Sequence, residues 1–305
     1  MKVYIKNPTI QGAWKWIQEG YRRAWAEVGY DAVYYDTLDD IDEKEYILMV
    51  REWDIKTHKD LKTIEKASLA FLFAQPQVFP APWGTHPNFK SCMSNDAINI
   101  INSMENVYLW TFGYVNPEFH RAWKTVHTVL LAFDSLSYQP APNEQYAKYD
   151  ISFVGGWANN GFDEKRKIMM ENFIEFKKSG LNCGFFVNKN LTHQQETALL
   201  SSSKITLNLH DAYQRILGYD TNERTFKSLG LNGLLLSDKV RQLELFFPEV
   251  KTSNDPQELI AWTREYLSMN PETLNELKAE NRQMILDNHC YTNRVIQLLS
   301  IGGHK

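Results

Sequence analysis

Short apolar runs that alternate with helix-length amphipathic stretches constrain the fold of this chain more than any other feature. Residues 3–5, 32–35, 46–50 and 68–73 read as strands, and residues 14–28 and 59–66 carry apolar positions at helical spacing. Strands separated by helices of this length make βαβ units, and such units make a parallel sheet. Residues 107–111 and 126–131 add two further strands. The acidic stretch with Asp39, Asp40 and Asp42 reads as a solvated loop. The Pro-rich run from Gln75 to Gly84 fits neither period and reads as a loop leaving a strand edge.

Residues 138–143, Tyr-Gln-Pro-Ala-Pro-Asn, have linker composition, and the same rhythm resumes after them. Strands are expected at 151–154, 182–187, 204–210 and 234–238. Helices are expected at 163–179, 194–200, near 223, at 258–268 and at 271–287. The reading is therefore an α/β chain with two Rossmann-like domains facing a cleft. Residues 1–145 form the first domain, 146–287 the second, and 288–305 a terminal helix. A length of 305 residues with 43% hydrophobic content is enough to fill two cores.

A formal charge of −4 and a pI near 6.1 carry no general attraction to polyanions, which weighs against a duplex DNA partner. Cys92, Cys183 and Cys290 have no paired spacing, so neither a disulfide framework nor a zinc site is indicated. No apolar stretch approaches the roughly 20 residues of a membrane span, and the opening Met-Lys-Val-Tyr-Ile-Lys is too short a run for a signal peptide. A cytoplasmic protein is expected. Among nine Trp residues, Trp14, Trp83 and Trp157 sit in polar surroundings that suit stacking on a sugar ring.

The stretch 149–166 carries the strongest chemical signal. An apolar strand opens into Gly155-Gly156-Trp157 and then a helix bearing Lys165 and Arg166. A glycine pair lets backbone approach a phosphate, a helix start presents unpaired N–H groups, and an Arg adds a bidentate bond. The strand ending at Asn208 and His210 is followed by Arg215 and then by Glu223-Arg224-Thr225-Phe226-Lys227. The strand after that ends in Asp238. Ligands of open α/β sheets bind at the carboxyl ends of strands, so Gly155, His210, Arg224 and Asp238 are expected to face one crevice.

Tyr149-Asp-Ile-Ser-Phe-Val-Gly155, Arg166, Ile205-Thr-Leu-Asn208, Arg224-Thr-Phe226 and Gly233-Leu-Leu-Leu-Ser-Asp238 follow in order, and His289-Cys-Tyr291-Thr-Asn-Arg294 closes the series. This order resembles the C-terminal half of GT-B fold glycosyltransferases, most closely the CgeB-like (spore-maturation) family, and it is similar in layout to phage DNA β-glucosyltransferases. The resemblance implies an enzyme that moves a sugar from a nucleotide-sugar donor, UDP-sugar first, to a hydroxyl acceptor without a cofactor or metal. It also implies a terminal helix that returns to the first domain. The acceptor stays open among a glycan, a small molecule and a modified DNA base, and a noncatalytic nucleotide-sugar-binding protein is the reading from another class. Oligomeric state is not fixed by the sequence.

The resemblance places the donor on Gly155, Gly156, Trp157, Arg166, His210, Arg215, Arg224, Thr225, Phe226, Lys227 and Asp238. Asn7, Gln11, Gly12, Trp14 and Gln75 fall in cleft loops. Where the family has a ribose-holding Glu, this chain has Lys227, which can only donate. Either Glu223 replaces that carboxylate, or Lys227 meets a diphosphate oxygen, or Lys227 is a solvated surface residue. Gln75 stands where the phage enzymes have a catalytic Asp and cannot act as a base. Either Asp54, His86 or Asp134 takes that role, or the enzyme retains configuration and uses the leaving phosphate itself.

Overall fold

The computed structural model describes residues 1–8, 13–74, 93–114, 120–157 and 164–303. They divide into two compact units, 1–131 with 291–305, and 132–290. Each is a parallel sheet with helices.

Unit 1 contains β1 (Lys2–Lys6), α1 (Ala13–Glu27), β2 (Asp31–Tyr35), β3 (Tyr46–Arg51), α2 (His58–Lys66), β4 (Leu69–Phe73), α3 (Asn95–Ser103), β5 (Val107–Thr111) and β6 (Val126–Thr128). The strand order is β2-β1-β3-β4-β5-β6 and every pairing is parallel. Every residue of β4 is buried, and so is all of β3 but Arg51, as central strands covered on both faces require. α1 meets the sheet through Ile17, Tyr21, Ala24 and Trp25, spaced as one helical face.

The strand expected at 126–131 ends at Thr128. The carbonyls of Leu130 and Leu131 go instead to the buried guanidinium of Arg294, whose Nε lies 3.0 and 3.3 Å from them. Arg294 belongs to the last helix (Tyr291–Ile301), which also packs on α1 through the rings of Tyr21 and Tyr291, 5.0 Å apart. The acidic stretch is not simply solvated. It forms a helical turn at Leu38–Asp40 with Leu38 buried, and Asp40 caps it by accepting from the Thr37 and Asp36 amides.

Unit 2 opens with residues 132–143, which are packed instead of forming a free linker. Tyr138 is buried, and the amides of Ala141 and Asn143 donate to the hydroxyls of Ser201 and Ser202. Asn143 then caps α4 (Glu144–Ala147). β7 (Ile151–Gly155), α5 (Glu164–Lys178), β8 (Cys183–Val187), α6 (His193–Ser202), β9 (Ile205–Asn208), α7 (Ala212–Leu217), α8 (Glu223–Leu231) and β10 (Leu235–Ser237) follow. α9 (Arg241–Phe246), β11 (Lys251–Thr252), α10 (Pro256–Ser268) and α11 (Pro271–Asn288) complete the unit.

The sheet order is β11-β10-β9-β7-β8, again all parallel. The chain leaves β7 toward β8 on one side and returns to β9 on the other. That reversal opens a crevice at the carboxyl ends of β7 and β9. α7 and α9 span six residues each, too short to show a period in the sequence.

Candidate active site

Arg224, in the first turn of α8, occupies the crevice of unit 2. Its Nε donates to the carbonyl of Val154 at the end of β7. Its Nη1 donates to Asn208 Oδ1 at 2.8 Å and to the Leu209 carbonyl at 3.3 Å, at the end of β9. The guanidinium lies 4.6 Å above the Phe153 ring. Burial lowers its pKa against the pull of Asp211, Glu196, Glu223 and Asp238, but a guanidinium stays protonated. Among the described residues its Nη2 has no hydrogen-bond partner, so one donor group is left for a ligand.

The glycine pair has a local reason. A Cβ at Gly155 would stand 2.1 Å from Arg224 Nη2, and one at Gly156 would stand 1.7 Å from Asn188 Oδ1. Gly155 also holds φ +153, a value L side chains rarely adopt. The two glycines clear the path for side chains arriving from α8 and from the end of β8.

Of the two basic residues opening α5, Lys165 is the one turned inward. Its Nζ lies 2.9 Å from Asp211 Oδ1, and burial, with Arg224 adding to it, lowers its pKa. Arg166 is exposed and lies over the Trp157 ring at 5.6 Å. Helical spacing carries this distinction: Lys165 shares a face with the buried Met169, Asn172, Phe173 and Phe176, whereas Arg166 shares one with the exposed Met170 and Ile174.

Beneath these cations lies a sealed polar chain. His210 Nδ1 is 2.6 Å from Asp238 Oδ1, and the His210 amide donates to both oxygens of the same carboxylate. His210 Nε2 meets Thr221 Oγ1 at 2.8 Å, Thr221 meets Thr225 at 2.6 Å, and Asn208 Nδ2 donates to Thr225 at 3.0 Å. Burial pushes the Asp238 carboxyl up, but His210 and Arg215 outweigh it and hold it below its ordinary value. Arg215 Nε stands 3.5 Å from Asp238. His210, Thr225 and Asp238 are fully or almost fully buried, so they support the crevice from below. Phe226 is core, packed on Phe247 and His289.

Lys227 is not a solvated surface lysine. It is 6% exposed, with Nζ 3.2 Å from Glu223 and 3.3 Å from Glu196 and 5.0 Å from the Tyr138 ring centre. Burial lowers its pKa, but the two carboxylates more than offset this and leave it above its ordinary value. Burial also raises the Glu223 pKa. Glu196, on α6, has no signal in the sequence, because its partner lies 31 residues away.

The carboxyl edge of the unit 1 sheet has a different character. Trp14 packs edge-on against Trp53 at 5.1 Å and Phe73 at 5.2 Å, and Phe112 lies 5.5 Å away. Arg51 lies over Trp14 and Trp53, at 5.3 and 5.1 Å. Its Nε and Nη2 grip both oxygens of Asp54 at 2.8 and 2.7 Å. Asp54, a candidate base, therefore has both oxygens engaged. Asn7 ties β1 to β2 by donating to Asp36 at 2.8 Å. Asp134 is buried, and its main-chain carbonyl accepts from the Ser137 and Tyr138 amides. Gln11, Gly12, Gln75, Trp83, His86 and Cys92 lie outside the described residues.

Residues 147–300 match the model of the family described as glycosyl transferase-like. Among solved structures, the chain is similar to the T4 phage BGT in complex with UDP and Mn2+, with 12% identity over 99% of this chain and 98% of that one, TM-score 0.54. It is similar to an α-glucosyltransferase in complex with UDP and a 13-mer DNA containing an HMU base, with 10% identity over 99% and 98%, TM-score 0.50. It is also similar to AviGT4, a glycosyltransferase involved in avilamycin A biosynthesis, with 13% identity over 100% and 99%, TM-score 0.50. At these identities the likeness is one of fold, that of α/β GT-B structures with two parallel sheets. No curated protein sequence matches the chain.

Proposed function

We propose a donor site and a mechanism for a chain that belongs to the glycosyl transferase-like family and is, as a member of it, an enzyme of glycosyl transfer. Unit 2 takes the donor, a UDP-sugar, with its diphosphate at the carboxyl ends of β7 and β9. The observation that carries this reading is Arg224, fixed across both strand ends with Nη2 left over and Lys165 within electrostatic reach. UDP is named as donor because two of the fold neighbours are UDP complexes.

In the reaction the acceptor hydroxyl oxygen forms a bond to the anomeric carbon while the bond from that carbon to the diphosphate oxygen breaks. The electron pair leaves with UDP, and the hydroxyl proton passes to the departing phosphate oxygen or to water. Negative charge grows on the departing phosphate, and cations held in place before the reaction stabilise it without reorganising. Arg224 Nη2, Lys165 and the amides of Gly155 to Trp157 supply that charge. We place no metal in this step, although the T4 phage BGT complex contains Mn2+.

Unit 1 takes the acceptor on the aromatic edge around Trp14, Trp53 and Arg51. A small-molecule or glycan hydroxyl fits this edge better than duplex DNA, because Arg51 is neutralised by Asp54 and the chain carries net charge −4. A finer placement beside the CgeB-like glycosyltransferases rests on the elements from Tyr149 to Asp238. A cytoplasmic location agrees with Cys183 and Cys290 being free thiols. Among the described residues no helix is long and apolar enough to cross a membrane.

Calorimetry with UDP in excess chelator, followed by mass spectrometry of transfer products from UDP-sugars, tests the reading. Binding and transfer are expected to persist in chelator. Transfer that vanishes there and returns with Mn2+ overturns the metal-free step, and binding without any turnover points to a noncatalytic nucleotide-sugar-binding protein.

A further inference from the structure

Two buried indoles of unit 1 differ in what their N–H groups meet. Trp25 Nε1 donates to Met49 Sδ at 3.0 Å, whereas Trp110 Nε1 has no hydrogen-bond partner among the described residues. Gln18 Oε1 and Tyr21 Oη, one helical turn apart on α1, share that condition, and the three residues are only 3%, 5% and 1% exposed. All three line one cavity of about 20 Å³ near the carboxyl ends of β3 and β5, which Trp14 and Arg51 line as well. A buried polar group left unmet carries its desolvation cost in full, so a ligand that completes these three bonds is held firmly.

Volume and donor set together fix the chemistry of that ligand. A cavity of about 20 Å³ admits one oxygen-sized group and no ring. Trp110 Nε1 can only donate and Gln18 Oε1 can only accept. Burial pushes the Tyr21 phenol above its ordinary pKa, so it keeps its proton and serves as a second donor. Two donors and one acceptor are the complement of an alcohol hydroxyl, which has one proton and two lone pairs. A water molecule brings a second proton that this set does not use, an ammonium cannot accept, and a carboxylate cannot donate. Arg51 adds no net charge, because its Nε and Nη2 are taken by Asp54.

Trp14 and Arg51 belong both to the cavity wall and to the aromatic edge, so the cavity adjoins the place proposed for the acceptor. We propose that it is an acceptor subsite: with a sugar ring stacked on Trp14, a hydroxyl on a one-carbon arm of that ring enters the cavity, donates to Gln18 and accepts from Trp110 and Tyr21. The chain therefore selects hexopyranosides, which carry a hydroxymethyl group, over pentopyranosides, which lack it. This rests on unit 1 taking the acceptor. The hydroxyl held here is not the one that reacts, since its proton goes to an amide oxygen, which is no base.

Calorimetry on the full chain with methyl glucoside against methyl xyloside, and methyl mannoside against methyl lyxoside, tests the inference, because each pair differs only in the hydroxymethyl group. In at least one pair the hexoside is expected to bind about tenfold or more tightly than its pentoside. Tyr21→Phe and Gln18→Leu are each expected to shrink that ratio several-fold. Tyr21→Phe should leave the thermal unfolding midpoint within a few degrees, because the ring keeps its contacts with Trp110 and Tyr291 at 5.6 and 5.0 Å. A crystal soaked with the tighter hexoside should show its hydroxymethyl oxygen bonded to Trp110 Nε1 and Gln18 Oε1. An ordered water that stays on those atoms with the sugar bound makes solvent the source of the hydroxyl and overturns the subsite. Ratios within twofold in both pairs, or unchanged in both variants, overturn it too, and if Trp14→Ala still abolishes sugar binding the acceptor reading stands. Failure of all four sugars to bind, or binding indifferent to Trp14→Ala, overturns the acceptor reading and the subsite with it.

Discussion

The carboxyl edges of the two sheets make an instructive pair. Both belong to all-parallel sheets in which the chain reverses direction, between β1 and β3 in unit 1 and between β7 and β9 in unit 2. Topology therefore supplies a crevice in each. In unit 2, Arg224 spends its bonds on uncharged carbonyls, those of the Val154 and Leu209 main chain and of the Asn208 side chain, and keeps its charge available. In unit 1, Arg51 spends its bonds on Asp54 and is covered by indole rings. A guanidinium bound to carbonyls remains a net cation, whereas one bound to a carboxylate does not. The first edge suits a diphosphate and the second an uncharged ring.

The largest expected effect tests the foundation of the unit 2 edge. Asp238→Ala leaves the buried His210 amide and ring without their acceptor and is expected to cost about 3–5 kcal/mol in urea unfolding. Because the Asp238 carboxyl is held below its ordinary value of 3.8, its contribution is complete above that pH and is lost as pH falls through the lower folded value. The parent should accordingly lose stability on acidification more steeply than Asp238→Asn. Equal slopes would mean that the His210 pair contributes nothing to folding.

Arg224→Ala is next, with UDP affinity expected to fall by about 1.5–3 kcal/mol, a roughly 10- to 150-fold rise in Kd by calorimetry. Arg224→Lys should not restore it, since one ammonium cannot span Val154, Asn208 and Leu209. Affinity within twofold of the parent would remove the charge difference between the two edges.

A smaller contrast lies within α5. Lys165→Ala is expected to weaken UDP binding about tenfold, and the exposed Arg166→Ala by less than about twofold. The reverse order would show that the diphosphate lies on the Arg166 face of α5 instead of on the Lys165 face.

The smallest effect belongs to unit 1. Asp54→Asn is expected to change kcat for glycosyl transfer by less than about fivefold, because both carboxylate oxygens already serve Arg51 and a base must be free to take a proton. A fall of about a hundredfold or more, with KM unchanged, would make Asp54 the base and the unit 1 edge catalytic.

Much of the architecture is legible in the sequence, because buried parallel strands must be apolar and their helices must be amphipathic. β3, β4 and β5 stand close to where their apolar runs predict, and α11 begins at Pro271 as expected, whereas α10 begins at Pro256, two residues before its expected start. The carboxylate at the end of β10 and the Arg opening α8 were also readable from position alone. The strand expected over 126–131 stops at Thr128 because the carbonyls of Leu130 and Leu131 are taken by Arg294, more than 160 residues away.

What the amino-acid order determined by itself is the set of local periods: which runs pleat, which coil, and which polar residues fall at strand ends. What only the tertiary structure decided is which charges meet. Lys227 reads either as a diphosphate contact or as a surface residue until α6 brings Glu196 beside it, Asp54 reads as free until Arg51 turns back on it, and Gly155 reads as a phosphate turn until Arg224 lies across it. Periodicity follows from neighbours along the chain, but the sign and solvation of a site follow from neighbours in space, and those depend on the packing of elements far apart in sequence.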